Sequence, residues 1–228
     1  MRTSLLTASL LALAIAAPLA QAHQAGDIIV RAGAITVDPH ESSGDIWVGA
    51  LNSDVAGSKA TLDSDTQLGL NFAYMLSNNL GIELLAATPF SHDVGVAGMP
   101  GGFAGLNGKL GELKHLPPTV SLVYYPLDGS SAFQPYVGAG INYTWFFDTK
   151  LSSEAESKGF SGLDMKDSWG LAAQVGMDYM LTDSIMLNAQ VRYIDIDTTG
   201  TTHILGDKVK VDVDVDPFVY MLGLGYTF

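Results

Sequence analysis

Eight stretches of this 228-residue chain alternate between a large apolar side chain and a small or polar one, and that period limits the fold more than any other feature. From Thr66 the even positions read Thr66, Leu68, Leu70, Phe72, Tyr74 and Leu76, while the odd ones read Gln67, Gly69, Asn71, Ala73 and Met75. Successive side chains of a strand point to opposite faces, so such a run has one face for an apolar medium and one for a tighter or polar one. The runs cover approximately 27–37, 62–76, 80–90, 115–126, 132–146, 168–181, 185–197 and 209–228. Most exceed ten residues, which suits a transmembrane strand of about 9–11 residues better than the roughly 5–6 of a soluble sheet. After residue 22 no stretch of about 18 consecutive apolar residues occurs, which excludes a helical span. A chain that crosses a bilayer without helices must close its sheet. The expected fold is therefore all-β, an eight-stranded antiparallel transmembrane β-barrel.

The first 22 residues read as a secretory signal peptide, with Arg2 as the positive region, Leu5 to Ala17 as the apolar core and Ala20-Gln21-Ala22 as the cleavage site. Residues 23–228 then form the barrel. Without cysteine the chain has no disulfide, thiolate metal site or thiol nucleophile. A net charge of -13 argues against nucleic-acid binding, which needs a basic face. Yet 47% of residues are apolar and only 15% charged, a combination that calls for two separate surfaces.

The connections alternate in length. Ser77-Asn78-Asn79, the segment Leu127 to Ser131 and the segment Leu181 to Ser184 are short, whereas 38–61, 91–114, 147–167 and 198–208 are long. Tight periplasmic turns and extended extracellular loops give this order, with both ends of the barrel on the periplasmic side. Phe218, Tyr220, Leu222, Leu224, Tyr226 and Phe228 share one face of the last run. This stretch resembles the terminal signal that outer-membrane barrels present to the barrel assembly machinery, an expected partner. Tyr226 and Phe228 also suit an interfacial aromatic girdle. Asp212, Asp214 and Asp216 fall on the lipid register of the same run, so that stretch must rise above the bilayer or change face near Pro217.

Seven segments in order resemble one family. They are Thr36 to Pro39, Ala86 to Phe90, Leu116 to Thr119, Phe133 to Tyr136, Asp167 to Leu171, Tyr193 to Thr198 and Asp216 to Tyr220. Over the whole mature chain they are similar to the OmpW family, and most to its pseudomonad members. The resemblance implies an eight-stranded outer-membrane barrel with a narrow apolar interior that passes small hydrophobic molecules and releases them laterally into the membrane. Some members have been linked to small amino acids or iron. One departure stands out: family members commonly carry Trp before the Tyr-x-Asp-Ile-Asp motif, where this chain has Arg192 at an inward position, which argues against an apolar floor.

Inward positions give the candidate lumen: Arg31, Gln67, Asn71, Glu83, Asn142, Gln174, Asp178 and Arg192. Opposite charges in a narrow bore survive by pairing, so these groups form either a polar plug or a transport path. An eight-stranded barrel has room only for its own side chains, which leaves little space for a water-filled pore. Pro89 and Pro117-Pro118 fall at similar heights on neighbouring strands and cannot donate ladder hydrogen bonds. They define a candidate lateral outlet, with Phe90 and Leu116 expected on its lipid side; the alternative is that the prolines merely end strands above the membrane.

Catalytic and cofactor motifs are missing: the five histidines fall in no metalloprotease pattern, and there is no nucleophile elbow or phosphate loop. Neither an enzyme nor a cofactor is expected, although Ser91, His92 and Asp93 are neighbours in sequence. Gly98 to Gly108 reads as a flexible loop. Acids crowd the long loops, where they are either solvated or able to share divalent cations with lipopolysaccharide phosphates. The expected partners are outer-membrane lipid, lipopolysaccharide and small hydrophobic solutes. The function classes left open are a passive channel for such solutes, a structural or surface-interaction barrel with a sealed polar interior, a channel for small amino acids, and a membrane-embedded enzyme, which would need a Ser/His/Asp group converging near the outer rim.

Overall fold

A computed structural model describes residues 23–228; the expected signal peptide lies outside the described residues. The strands in chain order are β1 (Ile28–Asp38), β2 (Ser42–Ser43), β3 (Ile46–Val48), β4 (Ser53–Val55), β5 (Lys59–Leu62), β6 (Asp65–Met75), β7 (Leu80–Ala87), β8 (Phe90–Ala97) and β9 (Gly108–Leu116). They continue as β10 (Thr119–Tyr124), β11 (Phe133–Leu151), β12 (Phe160–Met165), β13 (Ser168–Met180), β14 (Ile185–Ile194), β15 (Asp197–Ile204), β16 (Asp207–Asp214) and β17 (Phe218–Thr227). Eight of them close an antiparallel barrel in the order β10-β7-β6-β1-β17-β14-β13-β11, with β11 returning to β10. The first and last strands of the barrel meet directly, Ile29 opposite Thr227 and Val37 opposite Val219.

The alternation holds along the wall. Leu224 and Val175 are more than half exposed, while Asn71, Glu83 and Asp178 are wholly or almost wholly buried. Trp145, Trp169, Tyr193 and Tyr220 ring the outer face at the end of the long connections, and Tyr74, Tyr124, Phe133, Tyr226 and Phe228 at the other. Aromatic belts at these two heights mark the edges of the hydrocarbon layer.

The structure revises the expected segmentation at its upper end. The four long connections contain strands. β12, β15, β16, β3 and β4 form one sheet above the barrel, and β5, β8 and β9 join the upper part of the long β11. The run 209–228 is two strands divided at Pro217; β16 rises above the girdle with its aspartates outward, the first of the two anticipated solutions. Likewise Thr88–Pro89 separates β7 from β8, and Pro117–Pro118 separates β9 from β10. Gly98 to Gly108, read as a flexible loop, contains a 3-10 turn over Gly101–Leu106.

Candidate functional site

The lower bore is filled by one ionic network. Arg31 on β1 reaches across the lumen to Asp178 on β13, donating from Nε to Oδ1 at 3.0 Å and from Nη2 to Oδ2 at 2.5 Å. Its Nη1 donates to Asn71 Oδ1 at 3.1 Å and to Glu83 Oε2 at 3.3 Å, and its Nη2 also to the Tyr125 hydroxyl at 2.8 Å. Arg192 on β14 donates from Nη2 to Glu83 Oε1 on β7 at 2.6 Å and from Nε to Gln174 Oε1 at 2.7 Å. Asn188 joins Asp178 Oδ1 to the Tyr136 hydroxyl, at 2.8 and 2.9 Å. Neither β1 and β13 nor β7 and β14 are neighbours in the sheet, so these bonds bridge the bore rather than line one wall.

Two cations meet two anions, and all four are buried. Pairing offsets the desolvation that any one of them would suffer alone, and loss of one partner strands a charge. Small residues make the space. A Cβ on Gly176 would collide with the Tyr136 ring, and one on Gly225 would meet Arg31 Cγ at 3.0 Å. The inward glycines are therefore the seats of the large polar side chains.

Six expected lumen residues, Arg31, Asn71, Glu83, Gln174, Asp178 and Arg192, belong to this network. Asn142 does not: its Nδ2 donates to Pro118 O at 3.1 Å and Thr119 Oγ1 at 3.0 Å, tying β11 to the start of β10. Gln67 lies at the wall near Pro89, where its Oε1 accepts from Thr88 Oγ1 at 3.0 Å. Sequence reasoning missed Tyr125, Tyr136 and His23. Tyr136 shares the inward register of Gln134 and could have been found. His23, whose Nε2 lies 3.1 Å from Asp178 Oδ2, precedes the alternating run and carries no such signal.

Above the network the contents change. An apolar core around Ile35, Leu85, Phe90, Ile194, Val213 and Val219 fills the upper bore. Over it, the extension sheets enclose an apolar cup of about 380 Å³ whose lining includes Ile46, Val55, Val96, Leu110, Phe160 and Val209. Around the cup the loop charges pair at the surface. Lys109, held up to about 12 by hydrogen bonds to Asp93 and Glu112, is one example. Asp148, held below its ordinary range by Lys114 and Lys150, is another.

The wall between cup and network is interrupted near Pro89. Pairing of β7 with β10 stops at Leu85 opposite Thr119, and pairing of β8 with β9 begins at Phe90 opposite His115. Residues 86–89 and 116–118 between them form no rungs with each other. On the other side, the ladder of β6 and β7 ends at Gly69 opposite Ala87. Beyond Thr88, side chains replace it: Asp65 Oδ2 accepts from Ser91 N at 2.8 Å, and Asp63 Oδ1 from Asp93 N at 2.6 Å. Pro89 and Pro118 are exposed, Leu116 is half-buried and Pro117 is buried. Phe90, expected on the lipid side, is instead completely buried. Even positions of β7 face outward, so the Thr88–Pro89 break reverses the facing of the even positions and turns Phe90 into the bore. The same strand puts His92 inward and Asp93 outward, so Ser91, His92 and Asp93 do not converge.

The profile of the OmpW family matches residues 24–228. This chain belongs to the OmpW family. It is similar to outer membrane protein W of Vibrio cholerae, 48% identical over 207 residues and 91% of each chain. The crystal structure of the outer membrane protein OprG from Pseudomonas aeruginosa superimposes with a TM-score of 0.85 at 52% identity, covering 91% of this chain and 98% of that one. Outer membrane protein AlkL of Ectopseudomonas oleovorans is 33% identical over 195 residues, 82% of this chain and 76% of AlkL. Like these OmpW-family relatives, the protein is a β-barrel of the bacterial outer membrane, in contact with its lipid and lipopolysaccharide.

Proposed function

We propose that this OmpW-family barrel is a passive channel for small, mainly hydrophobic molecules, which enter the apolar cup and leave sideways between residues 86–89 and 116–118 into the membrane. The observation that carries this reading is the stacking of an apolar cup on a neutral ion-pair floor. A solute passing straight down would have to part the buried Arg31 and Arg192 from Asp178 and Glu83, and breaking one such buried pair costs about 3–5 kcal/mol. A path through the wall meets no ladder bonds between these two segments.

Replacing Pro89 by Ala returns an N–H to the wall, and a regained hydrogen bond contributes about 0.5–1.5 kcal/mol. Uptake of an apolar solute into vesicles with a lipopolysaccharide outer leaflet is expected to slow, with folding followed by heat-modifiable gel mobility. Undiminished flux through folded Pro89→Ala and Pro117→Ala/Pro118→Ala barrels would rule out the seam. The floor also favours a second reading, a structural or surface-interaction barrel with a sealed interior. That reading predicts no flux above empty vesicles for the unaltered protein.

A further inference from the structure

Two histidines lie between the cup and the seam, in surroundings that are otherwise almost wholly apolar. His92 and His115 project from β8 and β9 and are both buried. The His115 ring lies between Phe90 and Phe146, at centroid separations of 5.3 and 5.7 Å and near-parallel to both. Its chain neighbours Leu116 and Pro117 border the seam. Both histidines line a small gap together with Val37, Leu62, Ile196 and Val215, and Leu62 also lines the cup.

With both rings neutral, the hydrogen bonds fix the proton positions. His92 Nδ1 is 2.6 Å from the Asp63 carbonyl oxygen, which only accepts, so this nitrogen carries the hydrogen. In neutral His92 the Nε2 is then an acceptor. It lies 2.8 Å from His115 Nε2, which must donate. His115 Nδ1 is consequently left with a lone pair and no hydrogen, and it is buried with no partner among the described residues. Burial pushes the His115 pKa well below its ordinary value, which keeps its ring neutral in this chain of bonds. A buried acceptor without a donor is costly unless something supplies one.

We propose that His115 Nδ1 is a specificity-determining site that accepts one hydrogen bond from an otherwise apolar solute bearing a hydroxyl group, such as a medium-chain alcohol, on its way from cup to seam. The proposal rests on the lateral-channel reading and adds a chemical class to it. The gap beside the two rings is only about 10 Å³ as it stands, so a solute reaches the orphan nitrogen by displacing the apolar side chains around it, and its one O–H then satisfies that nitrogen. His92 is a positioning residue: its bond to Asp63 sets the tautomer that makes His115 Nδ1 an acceptor.

The test uses the refolded full-length barrel and three probes of equal chain length: n-decanol, n-decane and the methyl ether of decanol, which has the oxygen but no donor. Nitrogen NMR of histidine-labelled protein should move the His115 Nδ1 resonance with decanol and leave it unmoved by the other two. In vesicles with a lipopolysaccharide outer leaflet, decanol should be favoured over the ether by about three- to tenfold, the worth of one hydrogen bond. His115→Phe keeps the aromatic stack and should abolish that preference while decane still passes. His92→Gln, which can donate to Asp63 and accept from His115, should retain it. Equal NMR responses to decanol and ether, or a preference that survives in His115→Phe, would overturn the site while leaving the channel intact. Should His115→Phe fail to fold, the titration of the unaltered protein decides alone. Absence of decane flux through the unaltered barrel would instead overturn the channel reading itself.

Discussion

The lower and upper halves of the bore hold opposite chemistry. Below, Arg31, Arg192, Glu83 and Asp178 bridge non-adjacent strands and close the passage with paired charges. Above, Ile35, Phe90, Val213 and Val219 pack as an apolar core, and the cup over them is lined mainly by apolar side chains, with Lys158, Asp207 and Lys210 among them. A narrow barrel must be filled by something, and the choice of filling decides where a solute can go. Charges locked across the bore make the floor rigid and impassable to apolar matter, whereas an apolar filling offers such a solute an exchange of like contacts.

The most severe way to break this contrast is to unbalance the floor. Glu83→Leu leaves Arg192 without a carboxylate and weakens Arg31, and should cost about 3–5 kcal/mol in urea unfolding from lipid vesicles. The double replacement Glu83→Leu/Arg192→Leu removes one charge of each sign and should recover most of that loss. If the single and double variants are equally unstable, the pairing is not what holds the floor.

On the lipid side the contrast is between faces. Leu224→Arg places a charge in the hydrocarbon band and should cost about 2–4 kcal/mol by the same measurement, depending on its depth. Equal tolerance of Arg at Leu224 and at outward Asp212 of β16 would contradict the assignment of the membrane edge to the girdle of Trp145 and Trp169.

Polarity introduced into the cup sharpens the comparison from above. Val96→Asn should lower uptake of an apolar solute severalfold without changing the heat-modifiable mobility of the barrel, because the extension sheets lie outside the closed ladder. The smallest effect is expected at the surface. Lys109 is exposed between Asp93 and Glu112. Its raised pKa means that whatever it adds is complete below the ordinary lysine value and is lost as pH rises through about 12. Lys109→Ala should leave the neutral-pH unfolding midpoint unchanged, since exposed pairs are screened by water and salt.

Alternation made the eight spanning strands legible, because the lipid face and the bore impose opposite demands on successive residues. It also placed Arg31, Glu83, Asp178 and Arg192 inward before their partners were known. Legibility ended where the surroundings of the strand changed. Above the girdle both faces of the extension sheets can be partly polar, so β12 and β15 look like loops in sequence. The Val-Asp repeat of β16 showed that its aspartates could not face lipid, and its valines turn out to line the cup. The Phe90 side was misread because Thr88–Pro89 interrupts the count by which the face of each residue is inferred. The histidine pair joins residues 23 positions apart through side-chain contacts, for which a one-dimensional pattern holds no signal.

The central claim, that solutes leave through the wall above the floor, is tested most directly by mapping where they touch the protein. An apolar probe carrying a photoactivatable diazirine would be added to the folded barrel in lipid vesicles, activated, and its adducts located by mass spectrometry. Adducts are expected in the cup, at the Phe90 and His115 pair, and at Thr88 and Leu116 beside the seam. Adducts at Met75, Tyr125 or Met186 below the ion pairs, with none at Thr88 or Leu116, would show that solutes cross the floor and would contradict that claim.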